Sequence, residues 1–123
     1  MAAPNLVSAS TINGKTVTVN LSTTSATSVL SNAASSGKVL KVNSLYVANT
    51  TATAANITIN QYSAAALGGT AFPIASAIAV PANATLVVID KDAYVYLEED
   101  TSLGATAGTA SDLKIVCSYE DIS

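Results

Sequence analysis

Hydrophobic residues in this chain recur at every second position over short stretches, and turn-forming residues close each stretch before the next begins. In residues 15–21, Val17, Val19 and Leu21 alternate with Thr16, Thr18 and Asn20, the period of a strand with one face on a core and the other in water. Asn13-Gly14 lies just before it. Because Asn-Gly supplies the two positive φ angles of a type I′ turn, it predicts a hairpin between residues 6–12 and 15–21. Residues 27–32, around Val29 and Leu30, predict a further strand, with a short helix over 26–34 as the competing reading. The longest run, residues 38–48, sets Leu40, Val42, Tyr46 and Ala48 on one side and Val39, Leu45 and Val47 on the other, beside Lys41 and Asn43. That is the pattern of a central strand covered on much of both faces.

Ile57 and Ile59 then alternate with Asn56, Thr58 and Asn60 as far as Tyr62, a half-buried strand. Gly68-Gly69 reads as a break, with two weaker strands over 71–74 and 77–80. Pro81-Ala-Asn-Ala84 turns into residues 85–89, where Leu86-Val-Val-Ile89 is expected to be fully buried. Asp90-Lys-Asp92 and Glu98-Glu-Asp100 mark turns on either side of residues 93–97, with Val95 and Leu97 pointing one way and Tyr94 and Tyr96 the other. Residues 103–107 and 113–119 complete the series, the last with Leu113, Ile115, Cys117 and Tyr119 on one face.

This succession predicts an all-β chain: a single antiparallel β-sandwich of about eight or nine short strands, in jelly-roll or immunoglobulin-like order. One domain spans residues 1–123, with residues 1–12 as an N-terminal arm or first strand.

Composition narrows the function. Charged residues make up 11% of the chain and apolar ones 50%, against about 25% charged in an average soluble domain. Much of the surface must therefore be neutral Ser, Thr, Asn and Ala, or be covered by neighbouring molecules. The chain has no His, Arg or Trp, and its five basic residues, Lys15, Lys38, Lys41, Lys91 and Lys114, are scattered. With a net charge of −3, the summed field opposes nucleic acid. No secretory leader is legible at the N-terminus. Pro73, Ser76, Pro81 and Asn83 interrupt the longest apolar region, so no membrane span is expected.

Catalytic and metal chemistries are poorly supplied. Without His no Ser-His-Asp triad exists, and a lone Cys117 excludes an intramolecular disulfide and the multi-Cys zinc sets. Cys117 lies in phase with Leu113 and Ile115 and is expected to be a buried small hydrophobe. Asp90, Asp92, Glu98, Glu99 and Asp100 form an acidic stretch, but their spacing matches no EF-hand loop and carboxylates at strand ends read as solvated turn residues. Glu98 and Glu99 are adjacent, whereas a glycosidase pair must flank a bond across a cleft. Asn-x-Ser/Thr triplets at Asn20, Asn49, Asn56 and Asn83 follow from composition. No enzyme activity, metal or cofactor is expected. Tyr94 and Tyr96 stand on the face opposite Val95 and Leu97, and tyrosines so placed are enriched at interfaces. They are the candidate subunit contact.

Five segments carry a resemblance: Ser36-Gly-Lys-Val-Leu-Lys-Val-Asn-Ser-Leu-Tyr-Val-Ala-Asn49, Ile57-Thr-Ile59, Ile78-Ala-Val-Pro-Ala-Asn-Ala-Thr-Leu86, Tyr96-Leu-Glu-Glu99 and Val116-Cys-Ser-Tyr-Glu120. In this order they resemble the small β-sandwich virion structural proteins of tailed bacteriophages, particularly those of cyanobacterial hosts. The resemblance runs from about Thr27 to the C-terminus and rests on turns and strand patterns. It implies a non-enzymatic homo-oligomeric particle component, made in the host cytoplasm and mounted on the head exterior, neck or tail. Its partners would be the major capsid protein or other virion proteins. A capsid decoration or cement protein leads, followed by a neck, collar or tail component. A carbohydrate- or receptor-binding module, resting on Tyr46, Tyr62, Tyr94, Tyr96 and Tyr119, is the reading from another class.

Overall fold

The computed structural model describes residues 6–123, so residues 1–5 of the expected N-terminal arm lie outside the described residues. The regular elements are nine strands: β1 (Ile12–Asn20), β2 (Thr27–Asn32), β3 (Val39–Asn49), β4 (Ala55–Ala64), β5 (Gly68–Val80), β6 (Thr85–Ile89), β7 (Val95–Leu97), β8 (Thr101–Ala107) and β9 (Leu113–Ile122). One sheet runs β1-β9-β3-β6, with β7 also on β3, and the other runs β2-β8-β4-β5; every pairing is antiparallel. With β6 and β7 counted as one interrupted strand, this is the jelly-roll order of eight strands in two sheets. Immunoglobulin order would place the first two strands side by side, and here β1 and β2 belong to different sheets.

The core lies between the sheets. Val42, Leu45 and Val47 of β3 and Ile115 and Cys117 of β9 meet Ile57 and Ile59 of β4 and Leu103 and Ala105 of β8, all at 1% exposure or less. Each such Leu, Ile or Val stabilises the fold by about 1.5–3 kcal/mol relative to an exposed position. Residues 27–32 form a strand, not the competing helix, because Val29 and Leu30 complete the core from β2.

Four sequence expectations are corrected. Asn13-Gly14 is not a hairpin turn: both residues lie within β1, opposite Asp121 and Glu120 of β9. The Asn-Gly signal is local, and the long β1–β9 ladder overrides it. Residues 6–8 are turn and bend, not a strand.

The second correction concerns β3. Between Val42 and Ser44 the register with β9 shifts, leaving Asn43 as an extra residue. Such a bulge exchanges the two faces of the strand beyond it. Leu40 and Val42 before it, and Leu45 and Val47 after it, all face the core, and Tyr46 points outward.

Third, Gly68-Gly69 does not break the chain into two weak strands. One thirteen-residue strand, β5, begins at Gly68. The turn lies just upstream, where Gly68 N–H donates to the Ala65 carbonyl at 3.1 Å and Ala66 and Leu67 both adopt positive φ, 56° and 60°. This is type I′ geometry on two residues that rarely adopt it. Tertiary contacts hold it: Ala65 N–H donates to Asp100 Oδ1, Ala66 N–H to Ser31 Oγ and Leu67 N–H to Ser102 Oγ. The hairpin thus folds over β8. A Cβ at Gly104 would lie 2.6 Å from Leu67 Cδ2 and 2.9 Å from Tyr62 Cε1, so any larger residue there would have to push these two side chains aside.

Fourth, residues 86–89 are not fully buried. β6 is an edge strand: Val87 is 50% exposed between Leu86 and Val88, which are only partly buried, and a register shift against β3 at Val88 turns Ile89, 1% exposed, into the core.

Candidate interaction surface

The outer face of the β1-β9-β3-β6 sheet carries an apolar stripe. In register across it stand Thr18 of β1, Val116 of β9, Tyr46 of β3 and Val87 of β6. Val116, Tyr46 and Val87 are 37%, 39% and 50% exposed. Three large apolar side chains in one row form a contiguous patch, not scattered exposure. The bulge at Asn43 creates it by turning Tyr46 outward, so alternation read straight through β3 missed it.

Further along the same face, Lys41 of β3 lies opposite Tyr96 of β7 on one side and Glu120 of β9 on the other. Tyr94 and Tyr96 pack edge to face, with ring centroids 5.4 Å apart and planes at 84°. The Lys41 ammonium sits 4.6 Å from the Tyr94 ring centroid, a cation–π contact. Asn43 Nδ2 donates to Glu120 Oε2 at 3.0 Å. Tyr94 is 46% exposed and Tyr96 half-buried, so the two expected contact residues are brought together, outward-facing and held by their neighbours. Of the other tyrosines, Tyr46 joins this face, whereas Tyr62, like Leu67, lies against Gly104 and Tyr119 packs on the core.

On the second sheet, β5 forms an edge whose thirteen residues carry no charge. Phe72, Ile74 and Ile78 remain 58%, 38% and 43% exposed there.

The acidic residues serve separate local ends. Asp90 Oδ1 accepts the N–H groups of Asp92 and Ala93, Glu99 Oε2 accepts that of Gly37 and Asp100 Oδ1 that of Ala65. Among the described residues, no three His, Cys, Asp or Glu side chains converge on a point where a metal would sit. Glu98 is exposed and Glu99 is committed to Gly37. Cys117 is wholly buried, and burial pushes its thiol from 9.0 up to about 12. Such a thiol is neutral and unreactive at physiological pH.

Sequence reasoning missed a cluster at one end of the sandwich. Asp121 of β9, with its side chain 9% exposed, accepts hydrogen bonds from both Lys15 and Lys38 at 3.2 Å. It borders a cleft of about 260 Å³ lined in part by Leu30, Asn32, Leu40 and Tyr119. Its polar members are partnered internally: Asn32 Nδ2 donates to the Lys38 and Leu97 carbonyls while its Oδ1 accepts from Ser36 Oγ. No single-sequence signal joins residues this far apart in the chain.

No family model matches this chain, and no curated protein matches it. Among solved structures it is similar to a protein of Bacillus endospore appendages, described as a novel family of disulfide-linked pili. The TM-score is 0.52 at 16% identity, covering 90% of this chain and 87% of that one. At that identity the likeness establishes a shared β-sandwich fold.

Proposed function

We propose that this chain is a non-enzymatic structural subunit of a large repeating assembly, and that the assembly is the particle of a tailed bacteriophage, where the chain decorates and braces the head shell. The carrying observation is the outer face of the β1-β9-β3-β6 sheet, where the Val116–Tyr46–Val87 stripe adjoins the Tyr94–Tyr96 pair. On a chain with 11% charged residues, such a face gains by being covered. Tyrosine supplies large contact area at low entropic cost. Tyr94 and Tyr96 are assigned to the subunit contact. The virion setting rests on the sequence resemblance, and jelly rolls recur in viral capsids, which is support by analogy of fold.

Quantitative mass spectrometry of purified particles tests the reading. Hundreds of copies per particle are expected for a shell protein, and about a dozen would move the chain to the neck, collar or tail. Absence from mature particles would overturn the virion assignment. Replacing both Tyr94 and Tyr96 by Ser is expected to weaken attachment roughly 30-fold or more, the scale of an interface hot spot, with the fold intact.

A second reading, an appendage subunit, follows from the likeness to a protein of pili. It would need a linkage other than the disulfides named for that family, since this chain's one thiol is buried and protonated.

A further inference from the structure

Three of the four sheet edges are interrupted. β2 is six residues long and bulged between Ser28 and Leu30. β5 carries Pro73, three register shifts and Ala77 at φ 48°. The edge beside β3 is divided between β6 and β7. Short strands, bulges, proline and charged side chains are devices that block strand addition. β1 is long and has neither bulge nor proline, its one charge, Lys15, is held by Asp121, and its nine residues pair with β9 from Ile12↔Ile122 to Asn20↔Lys114 without a shift.

Hydrogen bonds at the ends of β1 fix which backbone groups face outward. Thr11 and Ser123 exchange both N–H···O bonds at 2.9 Å, and Leu21 N–H donates to the Leu113 carbonyl at 3.1 Å. In an unshifted antiparallel ladder, bonded and non-bonded pairs alternate. Odd-numbered residues from Thr11 to Leu21 therefore bond to β9. Ile12, Gly14, Thr16, Thr18 and Asn20 direct their N–H and C=O groups away from the sheet, and among the described residues no strand pairs with that edge.

We propose that a second copy of the chain closes this edge, β1 against β1, antiparallel about a two-fold axis perpendicular to the sheet and centred on Val17. About such an axis even-numbered residues meet even-numbered residues, so the outward groups face one another. Thr16 then lies opposite Thr18 of the second copy, a favourable cross-strand pair. Lys15 lies opposite Val19 of the second copy, which keeps the two Lys15 residues about 13 Å apart along the strand. Centring on Lys15 would set the two ammonium groups against each other. The nearby cations are also held within each chain, Lys15 by Asp121 and Lys114 by Asn20 Oδ1 and the Ser111 carbonyl. A shallow groove of about 450 Å³, lined by Thr18, Val19, Asn20, Lys114, Ile115 and Val116, opens beside the same edge. The two-fold uses up the edge of both copies, so association stops at two.

This concerns the free chain and stands whether or not the chain belongs to a virion. Sedimentation of the full chain is expected to return a dimer. Thr18→Pro removes one outward N–H and no bond to β9, and is expected to return a folded monomer with an unchanged circular dichroism spectrum. Hydrogen exchange on the unaltered protein gives a reading that needs no variant: the Gly14, Thr16 and Thr18 amides are expected to be protected, although no strand among the described residues pairs with them. A monomeric chain, an open polymer, a Thr18→Pro variant that folds and still dimerises, or fast exchange at those three amides would each overturn the proposal.

Discussion

Replacing Asn49 by Ala is expected to cost about 3 kcal/mol, a large share of the ~5–15 kcal/mol that holds a domain folded. Asn49 ends β3 at 3% exposure. Its Nδ2 donates to the Thr53 carbonyl at 2.8 Å and the Val80 carbonyl at 3.1 Å, and its Oδ1 accepts from Thr51 N–H at 3.0 Å and Thr51 Oγ1 at 2.7 Å. These four bonds do not weigh equally. Val80 is wholly buried, so its carbonyl would be stranded without water, at about 1–3 kcal/mol. The half-buried Thr51 N–H adds about 1 kcal/mol. The Thr51 hydroxyl keeps the Thr53 carbonyl as an alternative acceptor at 3.0 Å, and exposed Thr53 turns to solvent.

Urea titration should show a lower midpoint at unchanged slope. Asn49→Asp tests the direction of the bonds: it keeps the acceptor toward Thr51 but presents a carboxylate to two carbonyls, so it should be no better than Ala. A loss below about 1 kcal/mol for Asn49→Ala would refute the accounting, because it would mean the Val80 carbonyl finds another partner.

Three further outcomes are expected. Gly104→Ala should cost about 1–3 kcal/mol by forcing Leu67 and Tyr62 aside, read as a lowered urea midpoint with chemical-shift changes confined to the β4–β5 hairpin and β8. Ala66→Gly should raise stability by about 1 kcal/mol, read as a higher urea midpoint, because it relieves a positive φ of 56° at the turn. Because burial raises the Cys117 thiol from 9.0 to about 12, this residue's contribution is fully present below pH 9.0. Above that the unfolded thiol ionises first, so stability falls by about 1.4 kcal/mol per pH unit until the folded thiol titrates. Urea titrations at about pH 8 and about pH 10.5 should show this extra loss in the native sequence but not in Cys117→Ala.

Alternation located β1, β4 and β9, since a residue's side in an extended chain depends only on its neighbours, and Val17/Val19, Ile57/Ile59 and Leu113/Ile115/Cys117 read correctly for that reason. The same local rule placed Tyr94 and Tyr96 opposite Val95 and Leu97. It could not foresee the extra residue at Asn43, because a bulge arises from how β3 meets β9 and leaves no mark on β3's own pattern. Nor could it weigh Asn13-Gly14 against a partner more than a hundred residues away in sequence, or find a type I′ turn on Ala66-Leu67, which bonds to β2, the turn before β8, and β8 make tenable. Class, strand content and the scarcity of chemical groups are properties of the chain taken a few residues at a time. Sheet order, the apolar stripe, the Asp121 cluster and the open edge of β1 depend on which distant segments pair and in what register, and only the folded chain decides that.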